Sequence, residues 1–416
     1  MIYQPRIVDA ELRSRLAADG AVVIEGPKAC GKTATAREVA ASEVLFDVDE
    51  NARAVAAIAP GVVLEGATPR LLDEWQVVPS IFNHVRRAVD DRDAKGQFIL
   101  TGSAVPSDDI TRHTGAMRIT RLRMRPMSLF ESGHSAGTVS LRALLQSHAA
   151  GVPDPGLTIK ALAERVAIGG WPSLLARPTR DALLANRGYL DEVRRVDIGR
   201  VDAVRRDPDR VMRLVTSLAR NVATTVSVAA LAADTGGREN PLKDETAKEY
   251  LSALERLMIV EDQPAWAPHL RSRSILRSAP KRHFVDPALA VAAMRATPDR
   301  LFQDIEWFGC LFESLVVRDL RIYAQANDAV VKHYRDNNDL EVDAIVEAAN
   351  GVWAGFEVKL GHTQVDAAAA RLLEFARRVD TAKCGAPAVL AVIIGSGLGY
   401  VREDGVAVIP IGALGP

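Results

Sequence analysis

Residues 21–40 read AVVIEGPKACGKTATAREVA. Ala21, Val22, Val23 and Ile24 form a short apolar run of strand character, Gly26-Pro27-Lys28-Ala29-Cys30-Gly31-Lys32-Thr33 is a glycine-bearing turn, and an Ala- and Arg-containing segment free of helix breakers follows. Strand, loop and helix in that order let backbone N–H groups turn inward together to meet a polyphosphate, and the helix adds its positive N-terminal end. Lys32 is spaced to reach the β- and γ-phosphates, and the Thr33 hydroxyl to complete the coordination of Mg²⁺. The candidate nucleotide contacts are therefore Gly26, Pro27, Lys28, Ala29, Cys30, Gly31, Lys32, Thr33 and Ala34. Cys30 reads as a small loop side chain, since thiol reactivity depends on a pKa and exposure that sequence does not give.

Composition bounds the rest. At 416 residues the chain is too long for one ordinary core, which predicts two or three domains. With 48% hydrophobic and 25% charged residues it has a globular balance, and a formal net charge of −1 excludes a globally basic nucleic-acid binder while leaving room for local patches. Cys30, Cys310 and Cys384 are its only cysteines and form no close-spaced metal motif, as expected in a reducing cytoplasm. The N-terminus, MIYQPRIVDAELRSR, lacks the apolar core of a secretory signal, and no segment approaches the roughly 20 apolar residues that span a bilayer. The expectation is a cytoplasmic protein with no membrane partner.

Further strand–helix units follow the loop. Residues 44–48 read as a second strand, and residues 69–76, PRLLDEWQ, as a strand ending in two carboxylates. Asp73 would hold Mg²⁺, directly or through water, and Glu74 would position and polarise the water that attacks the γ-phosphate. Ile81, Phe82, Val85 and Val89 recur at helical spacing. Residues 97–103, QFILTGS, form a strand whose polar end makes Thr101 or Ser103 a candidate sensor of the γ-phosphate. Such alternation predicts an α/β fold with a doubly wound parallel sheet and its ligand at the carboxyl ends of the strands. No Asn-Lys-x-Asp guanine-reading motif is present, so the nucleotide is expected to be ATP. In residues 117–126, MRITRLRMRP, a strand would put Arg121, Arg123 and Arg125 on one face and Arg118 on the other. Arg118 is the candidate for an arginine that contacts the phosphates of a neighbouring subunit.

The set GPKACGKT, RLLDEWQ, FILTGS, RMRPMSLFE and Gly169-Gly170-Trp171-Pro172 resembles the bacterial and archaeal AAA-type P-loop ATPases that carry a C-terminal domain of unknown function with a nuclease-like fold. The resemblance covers nearly the whole chain. It implies a winged helix in the middle and a restriction-endonuclease-like C-terminal domain. A homo-oligomer is also implied, because AAA-type ATPases commonly place their sites between subunits.

Residues 161–220 have a helical pattern with Gly169-Gly170-Trp171-Pro172 as a turn, and Arg194, Arg195, Arg200, Arg205 and Arg206 alternate with Asp191, Asp197, Asp202 and Asp207 as in a solvated face. A short helix near residues 226–232 and a second over 244–258 precede a hairpin expected between Ile259-Val260 and residues 263–268, the order of a winged helix. Residues 269–283, HLRSRSILRSAPKRH, hold five Lys or Arg and no acid, a stripe that can neutralise nucleic-acid phosphates; Arg271, Arg273 and Arg277 are its candidate DNA contacts.

Beyond it a helix, three strands, a helix and further strands give the order of a restriction-endonuclease-like α/β core. Asp343 lies on the second of those strands, with Glu357 and Lys359 on one face of the third. Two such carboxylates can hold Mg²⁺ against a scissile phosphate while the lysine stabilises charge. Glu313 on the preceding helix, and Glu341 by strand parity, are further metal-ligand candidates. The boundaries drawn are 1–150 for the ATPase domain, 151–295 for the helical and winged-helix region and 296–416 for the nuclease-like domain. The expected function is Mg²⁺-dependent ATP binding and hydrolysis near DNA, or else a nucleotide-switched binding protein whose C-terminal domain is catalytically inactive.

Overall fold

The computed structural model describes residues 3–102, 115–201, 206–236, 242–268, 279–336, 338 and 340–416, without the Arg200 side chain. Ser103, Asp202, Arg205, Arg271, Arg273 and Arg277 lie outside the described residues. By its internal contacts the chain forms two compact units: unit 1 is Met1–Pro126 with Val196–Arg205 and Ala253–Ile259, and unit 2 is the remainder. The boundary read at residue 150 differs from this division, because residues 127–150 find their partners within unit 2. Met127 N donates to Gly170 O at 2.7 Å, Leu129 N to the Asp319 carboxylate at 3.0 Å, and Val139 pairs with Leu414.

In unit 1 a helix α1 (Val8–Ala18) precedes five parallel strands: β1 (Ala21–Glu25), β2 (Ser42–Leu45), β3 (Arg70–Asp73), β4 (Phe98–Gly102) and β5 (Ile119–Arg123), in the order β2-β3-β4-β1-β5. All neighbours are parallel, as the continuous apolar runs demand of a sheet covered on both faces. Helix α2 (Lys32–Arg37) leaves the loop after β1, and α3 (Ile81–Arg92) buries Ile81, Phe82, Val85 and Val89. The core divides into a Val23, Phe46, Leu72, Leu100 cluster and a Val22, Ile24, Leu71, Ile99 cluster, the alternation of a strand with two buried faces.

Unit 2 holds the helices α4 (Ile159–Ile168), α5 (Thr179–Glu192), α6 (Pro208–Arg220) and α7 (Val228–Gly236), then, after a helix Asp244–Arg256 whose last turn belongs to unit 1, α8 (Ala288–Ala293) and α9 (Ile305–Gln325). The hairpin expected between Ile259-Val260 and residues 263–268 is not formed. Val260 pairs with Phe284 and Gln263 with Lys281, both antiparallel, while Ala265 pairs with His333. Residues 265–267 are buried against the later sheet, so the returning strand is the buried segment near 281–284.

The six-stranded sheet of unit 2 is built from β7 (Ala329–Arg335), β8 (Glu341–Ala348), β9 (Trp353–Lys359), β10 (Val389–Ile394), β11 (Tyr400–Val401) and β12 (Ala407–Pro410), in the order β11-β12-β10-β9-β8-β7. The strands β7, β8 and β9 form an antiparallel meander. Helix α10 (Val365–Arg378) makes the crossover to the parallel β10 and packs Leu372 and Phe375 on Trp353, Ile345 and Val392. Short strands β6 (Val139–Ser140) and β13 (Leu414–Gly415) make a separate pair. Among the described residues no helix is long and apolar enough to cross a membrane.

The motif Gly169-Gly170-Trp171-Pro172 is a turn after α4, and its glycines are required by close approach. A Cβ on Gly170 would lie 2.1 Å from Met127 O, and one on Gly169, at φ 79°, would lie 2.8 Å from the Ala288 Cβ. Gly170 N donates to Asp286 at 2.9 Å, and Asp286 is bridged by Arg318, at 2.7 Å, to Asp319. The three charged side chains are buried, so within unit 2 this network ties the turn to α8 and α9.

Candidate functional site

The loop after β1 is shaped by backbone that L side chains rarely adopt. Gly31 has φ 106° and hands the chain to α2, whose first turn closes with Thr35 N on Gly31 O at 2.9 Å. A Cβ on Gly26 would lie 2.3 Å from Met124 O, so this position accepts glycine alone without a shift of β5's continuation. Lys32 is buried and donates to Gly26 O at 3.0 Å and to Pro27 O at 2.9 Å. The Cys30 side chain is fully buried in the core behind the loop, consistent with a packing role.

Sheet order brings the distant residues to this loop. Because β4 lies between β1 and β3, Thr101 is in register with both Ile24 and Asp73. Thr33 donates to Asp73 Oδ1 at 2.8 Å, and the buried Thr101 hydroxyl donates to the same oxygen. Glu74 leaves the strand in a left-handed conformation, φ 50° and ψ 44°, and receives a hydrogen bond from the Gln76 amide. Burial raises the Glu74 carboxyl above the ordinary glutamate value, while Lys32 and Gln76 pull it partly back.

Two residues not singled out by sequence support the loop. Arg6, buried, donates to Cys30 O at 2.9 Å and Arg125 O at 2.8 Å. Asp197, read from sequence as part of a solvated face, is 4% exposed, and its Oδ1 lies 2.5 Å from Lys28 Nζ. Its neighbour Arg194, by contrast, pairs with Asp191 and Asp209 on the surface as expected. Arg118 is not brought to its own chain's loop. Its carbonyl accepts from Ala21 N at the opposite, amino end of β1, and its guanidinium lies 2.6 Å from Asp90.

Unit 2 assembles a second constellation. Ala344 pairs with Phe356, so Asp343 and Glu357 stand beside each other on neighbouring strands, and Val358 N donates to Asp343 Oδ2 at 2.9 Å. Lys359 Nζ lies 2.7 Å from Glu357 Oε2 and 3.4 Å from Asp343 Oδ2. Glu313, from α9, and Glu341 are drawn to the same place by a shared cation. Unforeseen was Lys281, whose buried ammonium lies 2.7 Å from Glu313 Oε1, 2.6 Å from Glu341 Oε1 and 3.2 Å from Asp343 Oδ1. It stood in the basic stripe, but the apolar run that follows it in sequence, through Phe284, Val285, Leu289 and Val291, marks a buried context.

Burial, then Asp343, push the Glu313 carboxyl up to about 8, and the same two causes push Glu357 up to about 8. Burial would raise Asp343 too, but Lys281 and Lys359 hold it below the ordinary aspartate value. His283 is buried and driven well down by that burial; it faces Ser314 and Gln263 at 3.2 and 3.0 Å. Among the described residues no group of three or more His, Cys, Asp or Glu side chains is arranged to hold a metal ion.

Comparison with known families divides the chain into three matches. Residues 18–132 match the AAA domain. This part of the chain is similar to AAA domains. Beyond the AAA domain, residues 159–300 match one domain of unknown function, DUF8612, and residues 308–414 another, DUF4143. Two mycobacterial relatives are 26% identical over 364 residues, covering 86% of this chain and 74% of theirs: the uncharacterized proteins Mb2031c of Mycobacterium bovis and Rv2008c of Mycobacterium tuberculosis. Among solved structures, the Walker-type ATPase Paby2304 of Pyrococcus abyssi is 11% identical, with a TM-score of 0.42 over 69% of this chain and 94% of that one.

Proposed function

We propose that the chain binds ATP with Mg²⁺ at the loop of unit 1 and hydrolyses it. The observation that carries this reading is the convergence of Thr33 and Thr101 on one oxygen of Asp73, with Glu74 turned out of the strand beside them. The donor set fits the ion: Thr33 would offer Mg²⁺ a hydroxyl and Asp73 a carboxylate, the hard oxygen donors it prefers. When bound it supplies charge neutralisation to the phosphates. Lys32 holds phosphate oxygens in place of the loop carbonyls it now contacts, Thr101 reports on the γ-phosphate through Asp73, and Glu74 accepts a proton from the attacking water. The test is phosphate release by the full chain with MgATP and MgGTP, beside a Lys32→Ala protein. Release that is absent from the native chain, or unchanged by Lys32→Ala, overturns the reading.

Asp197 gives this site a second adjustable charge. Its carboxylate competes for Lys28 and repels a triphosphate, so Asp197→Asn is expected to tighten ATP binding about five- to tenfold, a gain of about 1–1.4 kcal/mol. A fluorescent-nucleotide titration checks it, and weaker binding would mean that Asp197 instead holds Lys28 in its working position.

For unit 2 our reading is a winged helix ahead of a nuclease-like domain acting on or near DNA. Supporting it are the helices before the Val260–Phe284 and Gln263–Lys281 pairings, and the order helix, antiparallel strands, helix, parallel strand. Of the two outcomes for that domain, the lysine-engaged carboxylates favour a nucleotide-switched binding protein whose C-terminal domain does not cleave. Supercoiled DNA incubated with the full chain and Mg²⁺ or Mn²⁺ should stay uncut while ATP changes DNA affinity; nicking lost in Asp343→Asn would reverse the choice.

A further inference from the structure

We infer that Lys281 is the resident cation of the unit 2 carboxylate cluster, seated where a hard divalent ion would otherwise bind, so that the cluster takes up Mg²⁺ or Mn²⁺ only when that ammonium is removed. The inference builds on the nuclease-like reading of this domain and is independent of ATP hydrolysis.

Three oxygens from two elements, Glu313 on α9 and Glu341 and Asp343 on β8, surround one Nζ at 2.6–3.2 Å. Oxygen donors from converging carboxylates are the ligands that Mg²⁺ and Mn²⁺ prefer. The Lys281 side chain is 2% exposed, so its charge has no aqueous alternative. Its strand is also fixed. Lys281 N and O exchange hydrogen bonds with Gln263 at 3.0 and 2.9 Å, and the Gln263 amide donates to Asp343 O at 2.9 Å. The ammonium is therefore bolted to the strand that carries its carboxylate partners.

A separate observation points to unmet demand for cation. Glu357 is 1% exposed and neither of its carboxylate oxygens receives a hydrogen bond of good geometry, Lys359 being its ionic neighbour at 2.7 Å. Four carboxyl groups thus share two ammoniums, and loss of one leaves oxygen donors that a divalent ion can engage. Methionine matches the length of the lysine stem without its charge, leaving the site open at its centre.

The experiment titrates Mn²⁺ into the nucleotide-free full-length protein, following the electron paramagnetic resonance signal of free Mn²⁺ and the unfolding midpoint. Native protein and its Asp343→Asn variant should take up Mn²⁺ alike, with no ion assigned to the cluster. Lys281→Met should gain one added Mn²⁺ and a raised midpoint, both lost in Lys281→Met/Asp343→Asn, whereas Lys281→Arg should behave as native. If Lys281→Met does not fold alone, refolding with Mn²⁺ but not with equal ionic strength of NaCl supports the inference. Native uptake that Asp343→Asn abolishes overturns it, as does a Lys281→Met protein, folded by circular dichroism, that gains no ion. So does one that neither salt refolds. Phosphate release by the same samples reports separately on the unit 1 reading.

Discussion

The Glu74→Gln protein is expected to retain ATP binding and to release phosphate at least about a hundredfold more slowly than the native chain, the usual size of a lost general base. Gln keeps the shape and the contact with Gln76 but cannot accept the proton of water. Burial places the native carboxyl above the ordinary glutamate range, and the ionised form is the active one, so the rate rises with pH through that raised pKa and then levels. The acid limb of kcat should accordingly lie above the usual value of about 4.3. Removing the Gln76 amide, which lowers the Glu74 pKa, should move the limb to higher pH still. Stopped-flow phosphate release from pH 4.5 to 8.5 measures both, and a Glu74→Gln rate within a few-fold of native would exclude this glutamate as the base.

Arg318→Met is expected to lower the unfolding free energy by about 3–5 kcal/mol, because it strands two buried carboxylates rather than one. Asp286 and Asp319 are fully buried, and Arg318 reaches each at 2.7 Å. Asp286→Asn can keep a carbonyl oxygen for Gly170 N or Ala288 N and leaves Arg318 paired with Asp319, so its cost should be nearer 2 kcal/mol, roughly that of one charged hydrogen bond. Urea unfolding of the full chain, followed separately by far-ultraviolet circular dichroism and tryptophan fluorescence, measures both. Equal losses for the two variants would mean that the charge of Asp286, not the double role of Arg318, carries the network.

What could be read in the sequence was what depends on neighbours along the chain. Residues 21–40 specify strand, loop and helix within twenty positions, and Asp73-Glu74 end an apolar strand, so the placement of the loop and the carboxylates was legible. The period-two spacing of Glu357 and Lys359, and the strand carrying Asp343, were legible for the same reason. Charges whose partners arrive from elsewhere were not. Asp197 looks solvated among alternating Arg and Asp until the fold brings Lys28 to it across 169 positions. Lys281 looks like one more basic residue in a polar stripe until three carboxylates close on it. The GGWP and RPMSLFE motifs carried the resemblance without a reason. The structure supplies one: Gly170 gives its N–H to Asp286 and its carbonyl to Met127, and Leu129 gives its N–H to Asp319.

Unit 1 cannot be inherited or moved as one continuous stretch of chain. Unit 1 is left at Pro126, re-entered for Val196–Arg205 and re-entered again for Ala253–Ile259, and the last two visits are joined by Arg256 donating to Val201 O at 2.7 Å. A stretch copied into another gene and ending at residue 126 or 150 would carry the phosphate loop but leave Lys28 without Asp197. The shortest exchangeable cassette runs to Ile259 and takes much of the helical region with it. Recombination is therefore expected to pass these parts on together, with the phosphate loop never travelling alone.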